Sequence, residues 1–217
     1  MTPIKIDAAV MAGDAPSTTY MPVMSLPDLL DDIQACRACA GDLAHEPRPV
    51  VRVSGATRLL ICGQAPGRRV HESGLPFDDP SGERLRDWLG VDRATFYSRA
   101  EIGVAAMAFC FPGTDPRGGD YPPMTRCAQL WRPRLLASLP KVELTLLVGS
   151  YAQAWALKGR TRPTMTETVR AWRDYLPGVL PLPHPSWRNT AWLKRNPRFE
   201  DELTPFLRAR VRDIIGP

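Results

Sequence analysis

The chain has 217 residues, of which 44% are hydrophobic, 24% charged and 8% aromatic, and its formal net charge is +5. That length suits one domain with a single sizeable core, and no apolar run approaches the ~20 residues that span a bilayer. The stretch from Met1 to Asp14 holds two aspartates and no apolar segment, so neither an export signal nor a membrane anchor is expected there.

Residues 1–24 mix Ala, Pro, Thr and Met without periodicity and predict a flexible lead-in; residues 25–217 then form one domain. Ser25 reads as a helix N-cap, with Pro27 in the first turn and Leu29, Leu30 and Ile33 at helical spacing. Arg58 to Cys62 is a short apolar run closed by Gly63, as expected of a buried strand. A Gly- and Pro-marked loop follows to Pro80, after which Ser81 is expected to cap a helix through Leu85, Trp88 and Leu89. Ile102 to Phe109 predicts a second strand. Thr125 opens a helix in which Pro133 must sit early or introduce a kink. Leu144 to Val148 predicts a third strand and Tyr151 to Leu157 a helix. Val179 to Leu182 is a fourth strand that runs directly into His184. Asn196-Pro197 and Thr204-Pro205 each look like a cap followed by a first-turn proline, so two final helices are expected. Short apolar strands alternating with helices imply a three-layer α/β/α fold around a four-stranded parallel sheet. Ligands of such folds bind at the carboxyl ends of the strands.

Two loops fall at those ends. Gly63-Gln64-Ala65-Pro66-Gly67 is a turn stiffened by proline and opened by glycine, able to hydrogen-bond an anion or a planar heterocycle through its backbone. Alone, a glycine-rich turn after a strand is more often a packing device. Phe77, in Gly74-Leu75-Pro76-Phe77, could stack on a base, although most such residues are core. His184-Pro185-Ser186-Trp187-Arg188-Asn189 joins a strand-end histidine to a loop carrying Trp and Arg. Charge is also uneven. The last sixty residues hold twelve basic and six acidic side chains, whereas the first 157 hold 16 and 17. This asymmetry fits a polyanionic partner, and equally fits a solvated helix face.

Taken together and in this order, GQAPG, GLPF, PSG leading into a helix, LLVGSYAQAWAL, HPS and a basic tail resemble the uracil-DNA glycosylase superfamily. The similarity covers Pro27 to Ile215 and is greatest to the bacterial and archaeal branches that carry an iron–sulfur cluster. The resemblance implies hydrolysis of the N-glycosidic bond of deoxyuridine in single- or double-stranded DNA, releasing uracil and leaving an abasic site, by a cytoplasmic, nucleoid-associated monomer. It implies that Gly63, Gln64 and Ala65 line the uracil pocket, that Phe77 stacks on the extruded base, and that His184 donates a hydrogen bond to uracil O2. Pro185, Ser186, Trp187 and Arg188 would wedge into the duplex and touch phosphates, with Lys194, Arg195 and Arg198 behind them. Cys36 and Cys39 form a C-x2-C pair, and with Cys110 and Cys127 they match the ligands of a [4Fe–4S] cluster; the thiols alone would also suit structural zinc. Cys62 is expected to be inert packing.

Two departures from the resembled pattern stand out. Relatives have a carboxylate in the first motif where this chain has Gln64 and Ala65, and an asparagine where it has Ala106. Gln64 can orient a water but cannot take its proton, which suffices for a strongly dissociative mechanism; otherwise a base must come from elsewhere, with Asp78, or else Asp79, the favoured carboxylate and His71 and Glu72 further candidates. Loss of the asparagine loosens selection of uracil, so excision of hypoxanthine or xanthine is one alternative. A uracil- or abasic-DNA binder with little turnover is another. No lysine sits in either motif, so strand cleavage through a Schiff base is not expected.

Overall fold

The computed structural model describes residues 24–216, so the expected lead-in lies, Met24 apart, outside the described residues. Four strands, β1 (Leu59–Cys62), β2 (Ile102–Val104), β3 (Leu144–Val148) and β4 (Val179–Leu182), form a sheet in the order β2-β1-β3-β4. All three pairings are parallel. Around them lie α1 (Leu26–Gln34), α2 (Arg68–Ser73), α3 (Pro80–Leu89), α4 (Arg93–Ser98), α5 (Thr125–Ala137), α6 (Ser150–Ala156), α7 (Met165–Arg170), α8 (Thr190–Arg195) and α9 (Thr204–Ile215).

Alternation along each strand sorts side chains into two cores. Leu59, Ile61, Leu144, Leu146, Leu180 and Leu182 face a layer supplied by α3, α4, α7, α8 and α9. Leu60, Cys62, Leu147 and Val179 face α1, α5 and α6 on the opposite side. Every strand residue is buried, which is why the strands read as unbroken apolar runs. Cys62 is fully buried within the second core, as packing.

Three expectations are corrected, and the place of Pro133 is decided. The second strand stops at Val104 rather than Phe109. The chain still tracks β1, with Ala105 N–H bonding Ile61 O, Met107 N–H bonding Gly63 O and Ala108 N–H bonding Gln64 O, but in an irregular ladder. Asp79, not Ser81, caps α3: its Oδ1 accepts from Gly82 N–H at 2.8 Å, with Pro80 in the first turn. The two terminal helices are one continuous unit, because the π-helical turn Phe199–Leu203 runs straight into α9 with Leu203 and Thr204 both helical. No side chain caps that turn, and Asn196 is engaged elsewhere: its Oδ1 accepts from Arg170 and its Nδ2 donates to Trp192 O. Pro133 lies in the interior of α5, not in its first turn.

Candidate active site

Sheet order reverses direction between β1 and β3, since β2 flanks β1 on one side and β3 on the other. In doubly wound sheets a crevice opens at that point, at the carboxyl ends of the strands. There the protein has a cleft of about 480 Å³, lined among others by Gly63 to Gly67, Phe77, Asp79, Ala106, Asp120, His184, Ser186, Trp187 and Arg188. That volume is in the range of small-ligand sites. The two loops singled out from the sequence, separated by more than a hundred residues, meet at this one concavity.

Phe77 is held there under strain. Its φ is 57°, in the left-handed region that a bulky residue rarely adopts. Three neighbours hold it. Arg86 donates to Phe77 O at 3.1 Å, Tyr97 donates to Pro76 O at 2.8 Å, and Gly82 lets α3 approach so closely that any Cβ there would overlap the Phe77 carbonyl. Opposite, Gly63 faces the ring: a Cβ built at Gly63 would lie 3.5 Å from Phe77 Cζ. The aromatic plate and the first turn thus form one wall of the cleft.

His184 forms another. Ser186 N–H donates to its Nδ1 at 3.2 Å, which puts the proton of the neutral ring on Nε2. Asn189 Nδ2 donates to the His184 carbonyl at 2.7 Å and fixes the loop behind it. Burial pushes the pKa of His184 down, partly opposed by the Asp79 carboxylate. The imidazole is therefore a neutral donor at neutral pH. Gly149, at φ 85°, leaves room beside it, since a Cβ there would touch His184 Cβ at 3.5 Å.

The remaining expected residues divide. Asp78 is not in the cleft: its carboxylate pairs with Arg93 at 2.8 Å, and that hydrogen bond holds its pKa below the usual range. Asp79 does line the cleft. Gln64 Nε2 donates to Tyr121 O at 3.1 Å, so half of its amide is committed to the chain segment across from it. Pro185 is buried and cannot wedge into anything, whereas Trp187 stands 73% exposed at the rim. His71 instead contacts His45, with ring centroids 4.3 Å apart, and Phe111. Lys194 and Arg195 are exposed on α8, outside the cleft. Much of the C-terminal positive charge is spent within the fold, because Arg162, Arg173, Arg198, Arg208 and Arg210 all face carboxylates.

Two contributions had no signal in the sequence. Arg84 donates to Ser186 O at 2.9 Å and so ties α3 to the histidine loop. Arg132, 1% exposed, donates to the carbonyls of Ala105 and Ala106 and fixes the cleft floor, where Ala106 presents only a methyl group.

Cys36, Cys39, Cys110 and Cys127 line a second, separate pocket together with Ile33, Phe109, Met124 and Trp131. Backbone and side-chain N–H groups point at these sulfurs: Phe109 N–H to Cys127 at 3.4 Å, Trp131 Nε1–H to Cys36 at 3.4 Å, and Arg48 N–H to Cys110. No three His, Cys, Asp or Glu side chains among the described residues converge on a single ion. The four thiols share a pocket without sharing a point.

The sequence model of the uracil DNA glycosylase superfamily matches residues 52–208, most of the chain and, Val50 apart, the residues that line the cleft. The chain belongs to the uracil DNA glycosylase superfamily. Among solved structures it matches the solution NMR structure of a Methanosarcina acetivorans protein provisionally described as a uracil DNA glycosylase. That match has 16% identity and a TM-score of 0.42, covering 72% of this chain and 92% of that one. Superfamily membership brings with it a glycosylase type of function and DNA as the partner. No helix among the described residues is long and apolar enough to cross a membrane.

Proposed function

We propose that this superfamily member is a monofunctional uracil-DNA glycosylase, acting as a monomer on single- or double-stranded DNA. The observation that carries the reading is the meeting of Phe77, the Gly63 to Gly67 turn and His184 in one cleft. Extruding a base costs a few kcal/mol, which stacking on Phe77 and insertion of exposed Trp187 at the rim would offset. As the C1′–N1 bond breaks, negative charge collects on uracil O2. A neutral Nε2–H already fixed by Ser186 stabilises that charge more than it stabilises the bound substrate, and so lowers the barrier. Asp79 is the carboxylate facing His184, and it adds electrostatic stabilisation to the cationic sugar.

Base selection rests on the uncommitted Oε1 of Gln64 and on backbone groups, because Ala106 supplies no amide. That methyl group is the observation favouring a second reading, excision of other deaminated bases such as hypoxanthine.

We further propose that Cys36, Cys39, Cys110 and Cys127 hold a [4Fe–4S] cluster. The donor set fits: four thiols line one pocket, and three of them receive N–H groups of the kind that stabilise thiolates. Four thiolates would equally serve tetrahedral zinc, and the likeness to the cluster-bearing branches favours the cluster. Such a cluster would clamp α1, α5 and the Cys110 turn into one unit.

The test is incubation with an oligonucleotide carrying one deoxyuridine, followed by assay of abasic sites. His184→Ala is expected to lower uracil release by at least ~100-fold with the fold intact. Unchanged release from that variant would refute the role of His184.

A further inference from the structure

Hydrolysis needs a group that takes a proton from the attacking water, and the Gly63 to Gly67 turn has none. Three cleft-lining side chains could serve: His184, Asp79 and Asp120. His184 is fixed by Ser186 with its proton outward, as a donor. Asp79 has one oxygen tied to Gly82 N–H at 2.8 Å as the cap of α3. Asp120 accepts no hydrogen bond among the described residues.

Its position is built. Residues 114 to 120 form a narrow hairpin closed by the bridge of Thr114 to Asp120 and by Asp115 N–H bonding Gly119 O at 2.8 Å. Gly118 and Gly119, both at φ 96°, make the turn, and Arg188 lies against it: a Cβ at Gly119 would meet an Arg188 nitrogen at 2.6 Å. At its other end, Gln64 clips the hairpin to the first turn through Tyr121 O. The result brings Asp120 Oδ2 to 3.5 Å from where a Gly67 Cβ would stand.

We propose that Asp120 is a catalytic residue, accepting the proton of the water that attacks C1′ of the extruded nucleotide. The inference rests on the glycosylase reading above. In that reading the base lies against the half-buried Phe77 and His184, so the sugar lies at the mouth, where Asp120 remains open to water. One water O–H bond breaks and its proton passes to the carboxylate. The water oxygen bonds to C1′ as the C1′–N1 bond breaks, and that electron pair leaves with the base as charge on O2 opposite His184. The proton on Asp120 then returns to solvent.

The charges facing Asp120 are Arg188 from the histidine loop, Arg68 from α2 and Asp79 before α3. Although water reaches it, its concave setting raises its pKa above that of an ordinary aspartate, and Asp79 adds to this while the two arginines oppose it. A raised pKa makes Asp120 a better base. It also means that the rate falls, on acidification, at a higher pH than for a free carboxylate.

The experiment compares uracil release by the wild type, Asp120→Asn, Asp120→Ala and Asp79→Asn across pH. Expected for both Asp120 variants is a fall in kcat of about 100-fold with KM little changed. Added formate is expected to restore part of the lost kcat in Asp120→Ala, which a structural defect would not allow. Binding of uracil-containing duplex should persist in both, showing an intact cleft. Wild-type kcat in Asp120→Asn, or formate rescue confined to an Asp79 variant, overturns the assignment. A wild type that releases no base defeats the glycosylase reading itself, and this inference with it.

Discussion

The cleft and the cysteine pocket treat burial in opposite ways. In the cleft, burial keeps His184 neutral despite the Asp79 carboxylate, and it raises the pKa of Asp120 above that of an ordinary aspartate while two arginines oppose it. In the cysteine pocket the walls are largely apolar, and burial pushes the Cys110 and Cys127 thiols up to about 11 and about 12. Left alone, such thiols are inert; a bound cation is what would turn them into thiolates. One region keeps its polar groups available to a visitor, while the other, in the cluster reading, would hold them for a permanent resident.

Breaking the resident's side should have the larger effect. Cys127→Ser is expected to abolish iron incorporation and to lower the yield of folded protein severely, measured by iron content and by absorbance near the sulfur-to-iron charge-transfer band. Iron content equal to that of the wild type would remove Cys127 from the ligand set. The cleft should respond in activity rather than in folding, so the His184 and Asp120 variants test that side while remaining soluble.

A smaller effect separates the two regions through stability. Gly82→Ala forces a methyl group into the Phe77 carbonyl and should cost about 1–3 kcal/mol in urea unfolding, while raising KM as Phe77 is displaced. Unaltered stability would mean that α3 yields easily and that the strain at Phe77 is not enforced by it. Smallest of all, Arg188→Gln should reduce the slope of log K against log salt by about one for uracil-containing duplex. A slope equal to that of the wild type would place Arg188 off the phosphates and leave it with the glycine turn alone.

The readability of the sequence follows the same division. Strands such as LTLLV announce themselves because both faces are covered, and the thiol quartet and the two cleft loops are marked by residue type. The end of β2 was not legible, because Ala105 to Phe109 is as buried as the strand and still hydrogen-bonds to the β1 side in an irregular pattern. Nor was the fused terminal helix, since Thr204-Pro205 carries a start signal that π-helical geometry upstream overrides. Within the site, Asp78 and Asp79 differ by one position and a reversal of direction. Only the competing partners, Arg93 for one and the α3 N–H for the other, decide which faces the cleft. Asp120 gave no signal at all: it sits in a Gly- and Pro-rich loop, and its meaning comes from Gln64 and Arg188 far away in the chain.

Turnover is the most direct measurement. With uracil-containing oligonucleotide in large molar excess, the account predicts continuous release of free uracil through many cycles, with abasic strands left uncut. Release that halts after one equivalent, with the protein still bound to its product, would contradict it.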